Sequence, residues 1–283
     1  MKQRSRPLLG TFVEISVPMN SAPECLDKAF EGIAFIESVL SFFNHESDVS
    51  RINALSPNTP LTIHPHTYRV LSFAQELSRH SNGIFDVTVG NTLAQKGFLP
   101  QKDYLMYDGK WSDIVLGEDS SILLTKRVCI DLGGIAKGYA VDCAIQVLRE
   151  YGITYGSVNA GGDLRVFGST PESLIVRHPI TPTQTIYLGE LLHNNAAATS
   201  AGYYSRTNES LPIVHPHRSQ CINSYESVTI LAPTCMIADS LTKVFLIDPH
   251  NSHPLLSHYN ARVFLLRYDE EQKILNVFDS KVS

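Results

Sequence analysis

Charge, cysteine and long apolar runs are all scarce in this chain of 283 residues, and each scarcity excludes something. Only 18% of the residues are charged and the formal net charge is -5, with no basic run and no basic patch interleaved with aromatics. The chain therefore has neither a general nor a local attraction for nucleic acid. The five cysteines, Cys25, Cys129, Cys143, Cys221 and Cys235, are odd in number and include no CxxC pair. That pattern fits reduced thiols in a cytoplasm better than a disulfide framework. No apolar stretch approaches membrane-spanning length. Near the start, Leu8-Leu9-Gly10-Thr11-Phe12-Val13 is followed by Glu14, which ends any candidate signal core. What the chain does have is 43% hydrophobic residues, enough for a substantial core in one large domain or two closely joined ones.

Periodicity predicts a strand over 11–17 and helices over Pro23–Phe43 and His66–His80, the second capped by Thr67. Short strand-like runs between 111 and 130 end in Val128-Cys129-Ile130, and the clearest helix follows over Ala136–Tyr151. Further strands are expected at Val158, Leu164–Phe167, Leu174–Val176 and Ser227–Leu231, with a helix over Met236–Phe245. The region from about 179 to 224, rich in Pro, Thr, Asn, Ser and His, is expected to be irregular. Strand groups mixed with long helices, without regular alternation, indicate an α+β fold of mixed α/β layers.

The most informative segment is Ile130-Asp131-Leu132-Gly133-Gly134-Ile135-Ala136-Lys137-Gly138-Tyr139-Ala140-Val141-Asp142. Its glycines would let backbone N–H groups approach an anion closely, and a helix beginning near Ala136 would add the positive end of its dipole. Asp131 would repel a phosphate unless a cation or a donor-bearing ligand lay between them. The segment thus points to a nucleotide with a metal, or to a ring whose N–H groups the carboxylate accepts. The bland alternative is a tight strand-to-helix turn.

Five more blocks accompany it: Arg6–Ile15, Asn82–Gly90, Ser157–Leu164, Ala197–Gly202 and Ala232–Thr242. In this order the six resemble the ApbE family, the FAD:protein FMN transferases, from about residue 4 to about residue 247. The resemblance implies a single flavin-binding domain over 1–283 with a T-fold-like core. It implies transfer of FMN from FAD to a Ser or Thr hydroxyl of an acceptor protein, with release of AMP and with Mg2+ as the metal. Asp131 and Lys137 match FAD-contacting positions, and Phe43, Asn44, His45, Ile84, Phe85 and Asp86 match the flavin site. Leu9 stands where relatives usually carry methionine, a volume-conserving change. Asn159–Asp163, Thr199 and Ser200 match blocks that shape the pocket floor. The backbone oxygen of Gly134 and the carboxylate of Asp239 match metal ligands.

The chain departs from the family pattern at two places. Relatives place a metal-binding oxygen, typically threonine, four residues after the aspartate matched by Asp239; here that position is Lys243. A charged ammonium is no metal ligand, so two arrangements stand side by side: magnesium held by Gly134 and Asp239 with waters, or Lys243 replacing the metal. The family histidine, a general base, falls at Pro212 when Pro216 is aligned with the family proline. His215 or His217 would then take over, an imidazole titrating near pH ~6.5 when unperturbed. A His-x-His zinc pair completed by Cys221 lacks a fourth clear ligand. Two alternatives to the transferase remain open: a flavin-binding module without transfer chemistry, carrying or sensing FAD, and an FAD pyrophosphatase. Many relatives are exported, so the absence of a signal core sets the expectation of a cytoplasmic protein acting on FAD and an acceptor protein. A homodimer is left open.

Overall fold

The computed structural model describes residues 1–101, 107–169, 171–179, 181, 183–191, 195–201, 211–222, 226–269 and 274–280. Gly202, which closes one of the six blocks, lies outside the described residues. The chain divides into two compact units.

The first unit comprises Met1–Glu37, Lys137–Tyr204 and Ser224–Ser283. Its frame is an eight-stranded antiparallel sheet in the order β1-β2-β6-β7-β10-β13-β14-β15. The strands are β1 (Lys2–Leu8), β2 (Thr11–Val17), β6 (Gly156–Ala160), β7 (Asp163–Phe167), β10 (Ala196–Ala201), β13 (Ser227–Ala232), β14 (Arg262–Asp269) and β15 (Ile274–Asp279). Helix α6 (Cys235–Ile247) packs on β10 and β13. The other face of the sheet, through Val166, Ala197, Phe264 and Leu266, meets Leu174 and Val176 of the hairpin β8 (Glu172–Arg177) and β9 (Thr185–Leu191). Because side chains alternate along a strand, the same β10 serves both layers.

The second unit comprises Ser38–Ala136 and Ser205–Asn223. It holds α2 (Asp48–Asn53), α3 (Pro65–His80), α4 (Gly90–Gln95), a three-stranded sheet β3-β5-β4 of Leu61–Thr62, Ser121–Leu124 and Ile114–Leu116, and a short hairpin of β11 (Val214–His215) with β12 (Gln220–Cys221). Helix α1 (Pro23–Leu40), helix α5 (Ala136–Glu150), helix α7 (His253–His258) and two short 3-10 turns, Trp111–Asp113 and Pro216–Arg218, are the remaining elements among the described residues.

The mixed α+β class is observed, and the helices beginning at Pro23 and Ala136 start where expected. Other elements differ from expectation. The region 179–224 contains β9 to β12 rather than being irregular throughout. Its interior strand starts Ala-Ala-Ala because small side chains fit between a helix on one face and a hairpin on the other, and alanine carries little strand signal. Helix α3 begins at Pro65 with His64 as its cap, whose side chain accepts from the His66 N–H. Thr67 instead donates its hydroxyl to the buried Asp48 carboxylate at 2.7 Å. Val128–Ile130 joins no sheet. The Asn53 side chain supplies the ladder instead, donating to the Ile130 carbonyl at 3.0 Å and accepting from its N–H at 2.7 Å.

The β1–β2 hairpin turns through a two-residue loop with both φ angles positive, Leu9 at +56° and Gly10 at +69°. Such a loop matches the twist of its strands. For a leucine that backbone region costs about 1–2 kcal/mol. Leu9→Asn is therefore expected to raise the unfolding free energy by about 1 kcal/mol, since asparagine tolerates left-handed backbone. Urea denaturation checks this; an unchanged or lowered midpoint would mean that the leucine side chain contributes packing of equal worth.

Candidate functional site

Helices α5 and α6 cap one another. An α-helix leaves its first N–H groups without partners, and here a carboxylate from each helix supplies them to the other. Asp142 of α5 accepts from the Cys235 N–H at its Oδ1 and from the Met236 N–H at its Oδ2, both at 2.9 Å. Asp239 of α6 accepts from the Gly138 N–H at its Oδ2, at 3.0 Å. The approach requires glycine at 138, where a Cβ would lie 2.3 Å from the Cys235 carbonyl oxygen and 2.8 Å from the Asp239 Cβ. Arg165 of β7 ties Asp142 to the sheet at 2.6 Å. Burial pushes the Asp142 carboxyl up from its ordinary value, and Arg165 opposes the shift.

This capping leaves Asp239 wholly buried, at 0% exposure, beside Asp163 of β7 at 2%. Two buried carboxylates need counter-charges. Lys137 pairs with Asp163 and stands 4.0 Å from the Asp239 Oδ1, and Lys243, one helical turn after Asp239, pairs with that same oxygen. Burial works against the Lys137 charge, but the facing carboxylates of Asp163 and Asp239 outweigh it and hold the ammonium above its ordinary range. Burial likewise works against the Asp239 carboxylate, but Lys137 and Lys243 outweigh it and hold its carboxyl below the usual range. Asp163 is positioned by the turn after β6, where Gly161 and Gly162 take φ of +65° and +108° and the Gly162 N–H donates to the Asn159 side chain at 3.0 Å.

Sheet alternation sorts the remaining candidates in this unit. Ala198 lies opposite Asp163, so Ser200, two residues on, shares the face that carries α6, and its hydroxyl meets that of Thr242 at 2.7 Å. Thr242 also donates to the Asp239 carbonyl at 2.6 Å. Thr199 points to the opposite face, where its hydroxyl meets that of Thr229 at 2.9 Å. The structure thus joins Lys137, Asp163, Asp239 and Lys243, with Ser200 and Thr242 near their helix, and leaves Thr199 apart. Sequence reasoning carried Asp163 only within its turn block; a carboxylate two residues before Arg165 on the same strand face was the available signal.

The donor set does not fit a divalent cation on Asp239. One carboxylate oxygen carries the Lys243 ammonium and the other the Gly138 N–H, whereas Mg2+ demands oxygen ligands in near-octahedral array. Each ammonium at about 4 Å would repel each unit of added positive charge by roughly 4 kcal/mol at an effective dielectric of about 20.

The second unit carries the other candidates. The Asp131 N–H donates to the Val87 carbonyl at 2.8 Å, and its carboxylate accepts from the Gly133 N–H at 3.1 Å. The N–H groups of Ile135 and Ala136 both turn back to the Leu132 carbonyl. The open anion cradle expected over 130–138 is therefore partly filled by the chain itself, because a carboxylate and a carbonyl inside the turn reach these donors first. Gly134 is half-buried. Asp86 accepts at 2.7 Å from both the N–H and the hydroxyl of Thr88, and burial pushes its carboxyl up. Phe85 is buried at 5% exposure, while Phe43 stands out at 65% and Ile84 is half-buried. Of the two matched phenylalanines, Phe43 is the exposed one, its ring meeting that of Phe42 edge-on at 6.2 Å. The Asn44 amide closes its own loop, donating to the Ser38 carbonyl and accepting from the Glu46 N–H, and His45 is exposed beside it.

Of the two candidate histidines, the exposed His217 is held by its Nε2 against the Asn82 carbonyl at 3.0 Å. A carbonyl only accepts, so Nε2 carries the proton and Nδ1 of the neutral ring remains an acceptor. Gly83 allows this, since a Cβ there would sit 3.2 Å from the imidazole Cε1 and 3.4 Å from the Trp111 indole nitrogen. His217 lies close enough to Asp86 to act on its carboxyl electrostatically. His215 is half-buried, its ring centroid 5.9 Å from that of His217, and Pro212 is exposed.

A sequence model described as the ApbE family matches residues 9–265. Among curated relatives, the FAD:protein FMN transferase of Haemophilus influenzae is 27% identical over 262 residues, covering 82% of this chain and 75% of that protein. The protein of the same description from Chlamydia pneumoniae is 25% identical over 297 residues, covering 98% and 88%. Among solved structures, the flavin transferase ApbE from Vibrio cholerae superposes with a TM-score of 0.84 at 22% identity, covering 99% of this chain and 97% of that one. The ApbE protein of Thermotoga maritima gives 0.81 at 25% identity, covering 97% and 96%.

Burial pushes the Asp131 carboxyl up to about 6, against an unfolded value near ~3.9. A raised carboxyl contributes its full stability below the unfolded value and loses it as pH rises through the folded one. Asp131 keeps part of its surface exposed, which moderates the effect to about 1–2 kcal/mol. Asp131→Asn is therefore expected to match the parent near pH ~4 and to exceed it by that amount at neutral pH. Denaturant midpoints across this range give the comparison, and parallel curves for the two proteins would contradict it.

Proposed function

The chain belongs to the ApbE family, and from that premise we propose that it is an FAD:protein FMN transferase. The observation that carries the reading is the pair of lysines, Lys137 and Lys243, anchored on buried carboxylates beside the capped ends of α5 and α6. An ammonium has three donors, and each lysine here keeps part of its surface exposed. Both can offer donors to pyrophosphate oxygens while the carboxylates hold them in place.

In the reaction, a Ser or Thr hydroxyl oxygen of the acceptor attacks the riboflavin-side phosphorus of FAD. The bond from that phosphorus to the bridging oxygen breaks, AMP departs with the bridging oxygen, and the hydroxyl proton is released. Neutralising charge on the phosphates and positioning the hydroxyl supply most of the acceleration in such transfers, while a base adds about 10²–10⁴-fold. His217, with Nδ1 left as acceptor, fits the base better than His215. The ring of Phe43 suits stacking on the isoalloxazine, and the carboxylates of Asp86 and Asp131 suit its N–H groups or the ribityl hydroxyls. Since the donor set around Asp239 does not suit Mg2+, no step is assigned to it. The five unbridged thiols support a cytoplasmic site of action, with a cytoplasmic or cytoplasm-facing acceptor protein.

The test is intact-mass spectrometry of an acceptor protein bearing an exposed Ser or Thr after incubation with this chain and FAD, with AMP followed in parallel. An FMN-sized mass gain matched by AMP is expected. FMN with AMP but no modified acceptor would indicate a pyrophosphatase, and FAD bound but intact a binding module, the reading that Pro212 favours. Phe43→Ala is expected to weaken FAD binding by about 2- to 10-fold without lowering stability, because the ring is exposed. Flavin fluorescence titration beside a urea curve separates the two effects.

A further inference from the structure

We propose that Lys243 is the resident cation of this site, so that the chain binds the pyrophosphate of FAD without a divalent metal. The inference rests on the reading of FAD as substrate given above. Both oxygens of Asp239 are already engaged: Oδ2 caps Gly138 at 3.0 Å, and Oδ1 is held by Lys243 with Lys137 4.0 Å away. Capping at α5 fixes the carboxylate, and the one-turn spacing from 239 to 243 brings the ammonium onto it. A metal ion would have to displace Lys243 from a wholly buried carboxylate or bind beside it there, in either case sharing the space with two ammonium groups.

The arrangement balances its own charge before any ligand arrives. Two carboxylates, Asp163 and Asp239, face two ammonium groups, Lys137 and Lys243. Lys243 is tethered by its backbone and by Asp239, so its position does not depend on metal concentration. Its remaining donors meet phosphate oxygens as a point charge rather than as a fork. Ser200 and Thr242 brace this helix from the sheet, their hydroxyls 2.7 Å apart.

The experiment measures FAD affinity by flavin fluorescence in EDTA and again in excess MgCl2, with Mn2+ binding to the same protein followed by electron paramagnetic resonance. Affinities within about twofold of each other in the two buffers, with no Mn2+ bound at stoichiometry, are the expected result. Lys243→Thr, which removes the ammonium and offers a hydroxyl, should lose about 10-fold or more in EDTA, the effect of one charge-assisted contact, and recover in MgCl2. Lys243→Arg, which keeps the charge, should stay metal-independent. FAD binding by the parent protein that requires MgCl2, or stoichiometric Mn2+ uptake, overturns the proposal without any variant having to fold. Absence of FAD binding in both buffers removes the flavin reading itself and this inference with it. FAD bound equally in both buffers but never transferred would remove only the transferase chemistry.

Discussion

The contact on which the rest of the site depends is the reciprocal capping of α5 and α6. Each helix begins against the other, and each supplies the carboxylate that the other's first turn lacks. Glycine at 138 is what lets the two backbones approach, since any Cβ would collide with the Cys235 carbonyl. Every charge nearby follows from that approach. Asp239 is buried because it caps, and a buried carboxylate beside a second one requires cations within reach. Lys137 and Lys243 meet that requirement from the first turn of one helix and the third turn of the other.

Satisfying those charges internally also shapes what the site can do. The donors that a glycine-rich helix start would offer to an anion are largely spent, on Asp131, on Leu132 and on Asp239. Under the function proposed above, recognition of a phosphate would fall to side-chain ammonium groups rather than to a backbone cradle. These groups are pre-positioned by salt bridges, so little reorganisation is needed when charge develops on the departing AMP, which is the form of electrostatic assistance that contributes most in such reactions.

Much of this was legible from residue order. The glycine segment, the block around Asp239 and the run at Asn82–Gly90 carry recognisable spacing, and helical periodicity located α1, α3 and α5 closely. The i,i+4 pairing of Asp239 with Lys243 could be read directly, because a helix brings that spacing onto one face. The role of Asn53 could not, since its two bonds to Ile130 span 77 positions in the sequence. Nor could the sequence say that Phe85 is buried while Phe43 is exposed: both are phenylalanines in flavin-like blocks, and burial depends on what packs over them. The alanines of β10 gave too weak a strand signal to be seen within a polar region.

By itself the sequence determined the residue types, the starts of α1 and α5, the family blocks and the replacement of an expected ligand oxygen by Lys243, because these depend on local spacing and chemistry. Only the tertiary structure decided that Asp239 caps a second helix 101 positions away, that Asp163 shares its counter-charge, that Ser200 rather than Thr199 faces α6, and that His217 is held at the Asn82 carbonyl. Those facts turn on which distant backbones meet and which face of a strand is covered. Such contacts are selected by the packing of the whole unit and have no short-range signature.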